Sequence, residues 1–229
     1  QYISMIVVPL LALVPTVIIA HTVLGPIGWT IGQWVSEVVY AGLTGDFRWL
    51  FGLFFGTLYS PLVITGLHHM SNAIDLQLIA DFGGTNLWPM IALSNIAQGS
   101  AVLAIIFLHR GNEKEEQVSI PAAISCYLGV TEPAMFGINI KYIYPFVAAM
   151  IGSGIAGLVA TTFNVMANSI GVGGIPGFLS IQTDSMAMFI VCMAIAIVVP
   201  FLLTVLFEKK QLFAPKGEVE DAPVIQTQK

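Results

Sequence analysis

The sequence predicts an all-α polytopic membrane protein with about six transmembrane helices and at least one re-entrant hairpin. Three observations carry that reading. Apolar residues make up 56% of the 229-residue chain, charged residues only 9%, and long uncharged apolar runs recur along it. A soluble domain carries about 25% charged residues, and a membrane helix needs about 20 consecutive apolar residues.

The elements follow in order. Residues 2–20 form a clean apolar run. Residues 26–43 form a weaker one that holds Gln33 and Glu37, and its leading Pro26 suits a helix start. Residues 49–67 and 87–108 carry no charge, 142–167 is long, and 186–207 is clean and closes on Glu208, Lys209 and Lys210. The polar residues 211–229 read as a solvated tail.

Residues 119–140 are long enough to cross, but Thr131, Glu132 and Pro133 interrupt them. A helix over 119–131 would extend about 20 Å at 1.5 Å per residue, past the bilayer midplane but short of the far side. The residue before a proline is pushed out of the α region, so the chain should turn with Glu132 at the tip. Irregular backbone at that depth must be buried in protein or line a watery cavity. If the hairpin returns to its own side, Arg48, Arg110, Lys114, Lys141, Lys209 and Lys210 all fall in one compartment, which the enrichment of basic loops in the cytoplasm identifies. The loops near 69–86 and 169–183 would then lie outside, the C-terminus inside. "GVGGIPG", residues 171–177, reads as a flexible loop or a second, shorter re-entrant turn.

Composition also excludes. A net charge of −5 without a basic cluster argues against nucleic-acid binding. Cys126 and Cys192 stand apart in apolar stretches without metal spacing, so neither a metal nor another cofactor is implied. No basic region precedes the first apolar run, so no signal peptide is read, and the chain is expected to continue upstream.

Glu132 is the first candidate for chemistry. A carboxylate inside a bilayer costs several kcal/mol unless paired, hydrated or protonated. It can accept a proton or bind sugar hydroxyls; the structural alternative is an acid that pins the turn through free N–H groups. His68 and His69, in "TGLHHM", close an apolar run. Adjacent helical residues point about 100° apart, so the two cannot share one ligand on a regular helix. One could bond a polar substrate or relay a proton; an interfacial pair explains them equally well. Asn95 and Gln98, in "LSNIAQGS", sit mid-span, where the default role of an amide is bonding between helices. Together with Asn72, Asn86, Asn139, Asn164 and Asn168 they suggest a cavity suited to hydroxyl-rich ligands. Asp75 and Asp81 read as solvated loop acids. Ala148, Gly152, Ser153 and Gly157, and likewise Gly52 and Gly56, have the small-residue spacing of close helix packing.

"TGLHHMSNAIDLQLI", "SNIAQGSAVLAI", "IPAAISCYLGVTEPAMFGINIKY" and "ANSIGVGG", in this order, resemble the membrane-embedded IIC domain of phosphoenolpyruvate-dependent sugar phosphotransferase permeases, in the glucose, sucrose and trehalose branch. The resemblance implies residues 1–44 as part of a scaffold, 45–210 as the transport domain and 211–229 as the tail. It implies a bacterial inner-membrane permease that moves a disaccharide, trehalose favoured and sucrose next, by a rigid-body shift against a dimer scaffold supplied largely by an N-terminal half. A IIB phosphocysteine, charged by upstream phosphocarriers, would phosphorylate the sugar 6-hydroxyl. Glu132 would be the catalytic base, His68 its neighbour at the hydroxyl, and Thr131, His69, Asn95 and Gln98 further substrate contacts. Maltose- and glucose-type members often carry an arginine eight residues before the first histidine, where this chain has Ser60. The alternative is an ion-coupled secondary transporter with Glu132 as proton carrier.

Overall fold

The computed structural model describes residues 2–213. Of the expected tail only residues 211–213 fall within it; residues 214–229 lie outside the described residues. The fold is all-α: the described residues hold no strand beyond the isolated bridges Thr85–Ala167 and Ala167–Ile181.

The chain begins with α1 (Tyr2–Ile19), a π turn (Ala20–Leu24) and α2 (Gly25–Thr44), which run on without interruption. The break expected before Pro26 is absent. A π turn shifts the bonding frame by one residue, and the Gly25 N–H reaches back to the Ala20 carbonyl just before the proline that has no N–H. Residues 2–20 and 26–43 are therefore one long helix. Four helices among the described residues are long and apolar enough to cross, or five if the pair Glu37–Thr44 and Arg48–Ile64, bent by 118°, counts as one.

Helix α3 (Arg48–Ile64) ends at a turn around Gly66, whose φ of 76° suits glycine. Then α4 (His69–Phe82) runs back. Gly52 packs on Gly157 and Thr161, and Gly56 on Ser153, so α3 lies antiparallel to α9 (Tyr144–Thr162). The Phe82 ring stacks on Tyr40 of α2 at 3.6 Å, and Thr85 pairs with Ala167 just beyond α9. Hence α3 and α4 form a V that starts and finishes at one end of the bundle, called here the loop end. The loop expected near 69–86 is mostly helix, and Arg48 lies at the opposite end from Arg110, Lys114 and Lys141.

Helix α5 (Leu87–Leu108) is the central post, buried along most of its length by α3, α9 and α10 (Met186–Lys209). At its far end α6 (Glu113–Tyr127) begins. Asn112 caps it by accepting the Glu115 N–H, and Glu113, Glu115 and Glu116 fill its first turn, where the helix dipole favours acids. Gly129, at φ 96°, ends the descent. The chain climbs back through α7 (Glu132–Ala134), a π turn (Met135–Asn139) and α8 (Ile140–Tyr142), until Tyr142 lies edge-on to His109 at 5.4 Å. This is the expected re-entrant hairpin, and its mouth marks the hairpin end of the bundle. One face packs on α5; on the other, Ile124, Leu128 and Phe136 are exposed.

Candidate functional site

The tip reaches about half the depth of the bundle, because Asn95, near the middle of α5, donates to the Gly129 carbonyl at 3.3 Å. From the loop end, residues 163–185 dip inward to meet it: Gly173 lies against Gly129 and Asn95, and Gly174 against the Tyr127 carbonyl. No side chain fits between these backbones, which is why "GVGG" faces "LGV".

Beside the tip, the apex of the α3–α4 V places His68 Nε2 at 3.9 Å from Glu132 Oε1. Two residues far apart in sequence are thus neighbours, one on each of the two returning segments. The Glu132 side chain is 47% exposed and that of His68 16%. The carboxylate is therefore open to a ligand while the imidazole stands behind it. Tyr59 of α3 lies edge-on to His68 at 6.5 Å, and the His69 ring lies 4.0 Å from that of His68. His69 itself is exposed at the start of α4. Thr131 is buried, and its carbonyl accepts the Met135 N–H that starts the climb.

Asn95 and Gln98 take different places. Asn95 holds the tip at Gly129, three residues before Glu132 in the chain. Gln98 is buried in a network: its amide donates to Ser60 at 2.6 Å, its carbonyl accepts from Asn139, and Ser60 also meets Ser94 at 3.3 Å. That is the interhelical bonding role, joining α3, α5 and the hairpin's return leg. The Ser60 side chain is wholly buried inside this network.

Asp75 differs from its expected place as a solvated loop acid. It is wholly buried, and Oδ1 accepts the Thr85 hydroxyl at 2.6 Å. Its spacing from His68 and Ser71, seven and four residues, is the signal that could have shown one buried face of α4.

At the hairpin end His109 joins three helices. Nδ1 meets Glu115 at 2.8 Å and Nε2 meets Glu208 at 3.1 Å, while the Tyr144 hydroxyl donates to Glu208 at 3.0 Å. Burial pulls the His109 pKa down, but the two carboxylates outweigh it and hold the ring above the ordinary imidazole value.

Two surface hollows of about 420 and 440 Å³ lie elsewhere, one along Glu113 to Pro121 of α6 and one around the α2–α3 bend. The Glu132–His68 pair lines neither and faces an open side of the bundle. Among the described residues no cluster of three His, Cys, Asp or Glu could hold a metal ion.

Residues 1–153 match the family model described as Phosphotransferase system, EIIC. The chain is 53% identical over 204 residues to the trehalose-specific EIIBC component of Escherichia coli K12, covering 89% of the chain and 43% of that protein. It is 46% identical over 200 residues to the trehalose-specific EIIBC component of Bacillus subtilis 168, covering 87% and 42%. To the sucrose-specific EIIBC component of Pasteurella multocida Pm70 it is 43% identical over 220 residues, covering 92% and 44%. The chain thus spans under half the length of these relatives. No solved structure matches it.

Proposed function

Since the chain belongs to the phosphotransferase system EIIC family, we propose that it forms the sugar-presenting part of a bacterial inner-membrane permease for a disaccharide. Trehalose is favoured because the relatives quoted at 53% and 46% identity are named for it; sucrose is next. The observation that carries the reading is the 3.9 Å approach of His68 to Glu132 at the hairpin tip, halfway through the bundle.

Phosphoryl transfer needs little covalent help from protein. It needs the acceptor in line and a group that takes its proton. The half-exposed Glu132 carboxylate bonds the sugar 6-hydroxyl and accepts its proton as the oxygen attacks phosphorus. The S–P bond of a IIB phosphocysteine breaks, and the thiolate leaves. His68, flanked by Tyr59, fixes the orientation of Glu132 and shares the proton. Thr131, Asn95 and His69 shape the tip; Gln98 supports it from within. The product carries a phosphate and cannot recross the bilayer. The IIB partner is proposed because the relatives are EIIBC proteins. The dimer scaffold and rigid-body movement are proposed on the family resemblance. The hairpin end, with Arg110, Lys114, Lys141, Lys209 and Lys210, is placed in the cytoplasm.

The test is uptake into vesicles that hold the full-length permease. Phosphorylated trehalose that depends on phosphoenolpyruvate supports the reading, and Glu132→Gln should bind sugar yet lose most phosphorylation. Free sugar accumulated on a proton gradient would replace the reading with ion-coupled transport.

A further inference from the structure

Helix α4 carries the histidine pair at one end and the buried Asp75 two turns further on. His68, Ser71 and Asp75 recur at the spacing of one helix face, and that face is turned inward. Each polar group there touches a neighbouring element. The Ser71 hydroxyl donates to the His68 carbonyl at 2.6 Å, and the Tyr59 hydroxyl of α3 lies close to Ser71. Asp75 Oδ1 accepts the Thr85 hydroxyl, whose oxygen accepts the Leu87 N–H at 3.0 Å, and the Trp88 backbone N–H approaches the same carboxylate. Asp75 therefore supplies a hydrogen-bond acceptor to the turn that opens α5 from a different helix. Asp75 forms no ion pair among the described residues; Tyr59 faces it from α3, Thr85 and Trp88 from the turn and α5.

A buried acid is costly unless it is hydrogen-bonded, and Asp75 makes that bond to the Thr85 turn. Thr85 exchanges two backbone hydrogen bonds with Ala167, at 3.0 and 2.8 Å, and Ala167 begins the inward loop whose Gly173 rests on Gly129. Three residues past Gly129 stands Glu132. A closed circuit of contacts thus runs from His68 along α4 to Asp75, Thr85, Ala167, Gly173 and back to the tip opposite His68. Asp75 is the only side-chain link in it between α4 and the Thr85 turn among the hydrogen bonds found.

We propose that Asp75 is a positioning residue: it sets the rotation and height of α4, and through them the placement of His68 against Glu132. Its kinetic consequence rests on the phosphotransfer reading; its geometric consequence does not. The second carboxylate oxygen, Oδ2, forms no hydrogen bond. One acceptor suffices, so an amide can replace the acid.

The experiment uses the full-length permease with Asp75→Leu, Asp75→Asn and Thr85→Val. The first readout is the rate at which diethyl pyrocarbonate modifies His68, followed by peptide mass spectrometry on folded protein. Asp75→Leu and Thr85→Val should each change that rate at least threefold, with no further change in the double variant, while Asp75→Asn stays within twofold of wild type. An unchanged rate in Asp75→Leu overturns the proposal, and so does a rate in Asp75→Asn as altered as in Asp75→Leu. The second readout is phosphorylation per folded molecule: Asp75→Leu should lower kcat about tenfold and leave KM within twofold, and Asp75→Asn should restore kcat. An Asp75→Leu protein with normal kcat, or one with KM alone raised, also overturns it. A wild-type protein that makes no phosphorylated sugar would defeat the functional reading, and the His68 modification rates would still decide the role of Asp75.

Discussion

Replacing Gly56 by alanine tests the packing that sets the α3–α4 V. A Cβ at Gly56 would stand 2.5 Å from the Ser153 carbonyl oxygen and 3.1 Å from the Gly154 Cα. Carbon and oxygen at close contact stay roughly 3.3 Å apart, so α3 and α9 must part by about 0.8 Å. Both obstacles are backbone, so no side chain can swing aside. Overpacking of this kind costs about 1–3 kcal/mol. The bond from the Ser153 hydroxyl to the Gly56 carbonyl, 2.8 Å long, would stretch and lose a further 0.6 kcal/mol or so. The sum, about 1.6–3.6 kcal/mol, is a factor of roughly 15–450 in the folding equilibrium. Unfolding in mixed micelles, followed by circular dichroism, measures it. Gly28→Ala is the control, because its Cβ would meet nothing within 4 Å; it should be neutral or slightly stabilising. If Gly56→Ala unfolds at the wild-type midpoint, or if Gly28→Ala is equally damaging, the glycine contact does not hold the two helices.

Other outcomes follow from the same geometry. The His109 pKa is raised above its ordinary 6.5, so the stabilisation from its two carboxylates is complete below that value and fades as pH climbs through the raised one. Unfolding midpoints should fall on the alkaline side of 6.5, and His109→Gln should flatten that dependence. Ser60→Arg, which forces a charge into the network of Ser94, Gln98 and Asn139, should fail to fold. A charge at a helix centre in membrane costs about 2.5–3.5 kcal/mol, and Ser60 is wholly buried; a monodisperse, active Ser60→Arg protein on size exclusion would contradict this. Cysteines at Lys114 and Arg48 should be labelled by an impermeant maleimide from opposite sides, Lys114 from the cytoplasm. Labelling of both from one side would refute the V.

The hairpin was legible because its signals are local: Thr131, Glu132 and Pro133 fall together inside an apolar run. The fold class was legible for the same reason, in composition and run length. The V was not. Its apex turns on Gly66 alone, and residues 49–67 have the uniform apolar character of a crossing helix, while the polar α4 imitates a loop. The uninterrupted start was hidden by Gly25 and Pro26, which usually end a helix and here follow a π turn. At the site, the nature of Glu132 and His68 could be read from chain chemistry, but their proximity depends on two returning segments that no spacing encodes. Gln98 and Ser60 show the same limit: each is recognisable as polar within a helix, and neither names its partner.

Gly129 and Gly173 bring two polypeptide strands together backbone to backbone, touching without side chains. Asn95 clamps one strand to α5, and the Thr85–Ala167 pairing moors the other. Neither strand can therefore slide along the other without losing its mooring, and a Cβ on Gly129 or Gly173 would press on backbone or on the Asn95 amide that holds the tip.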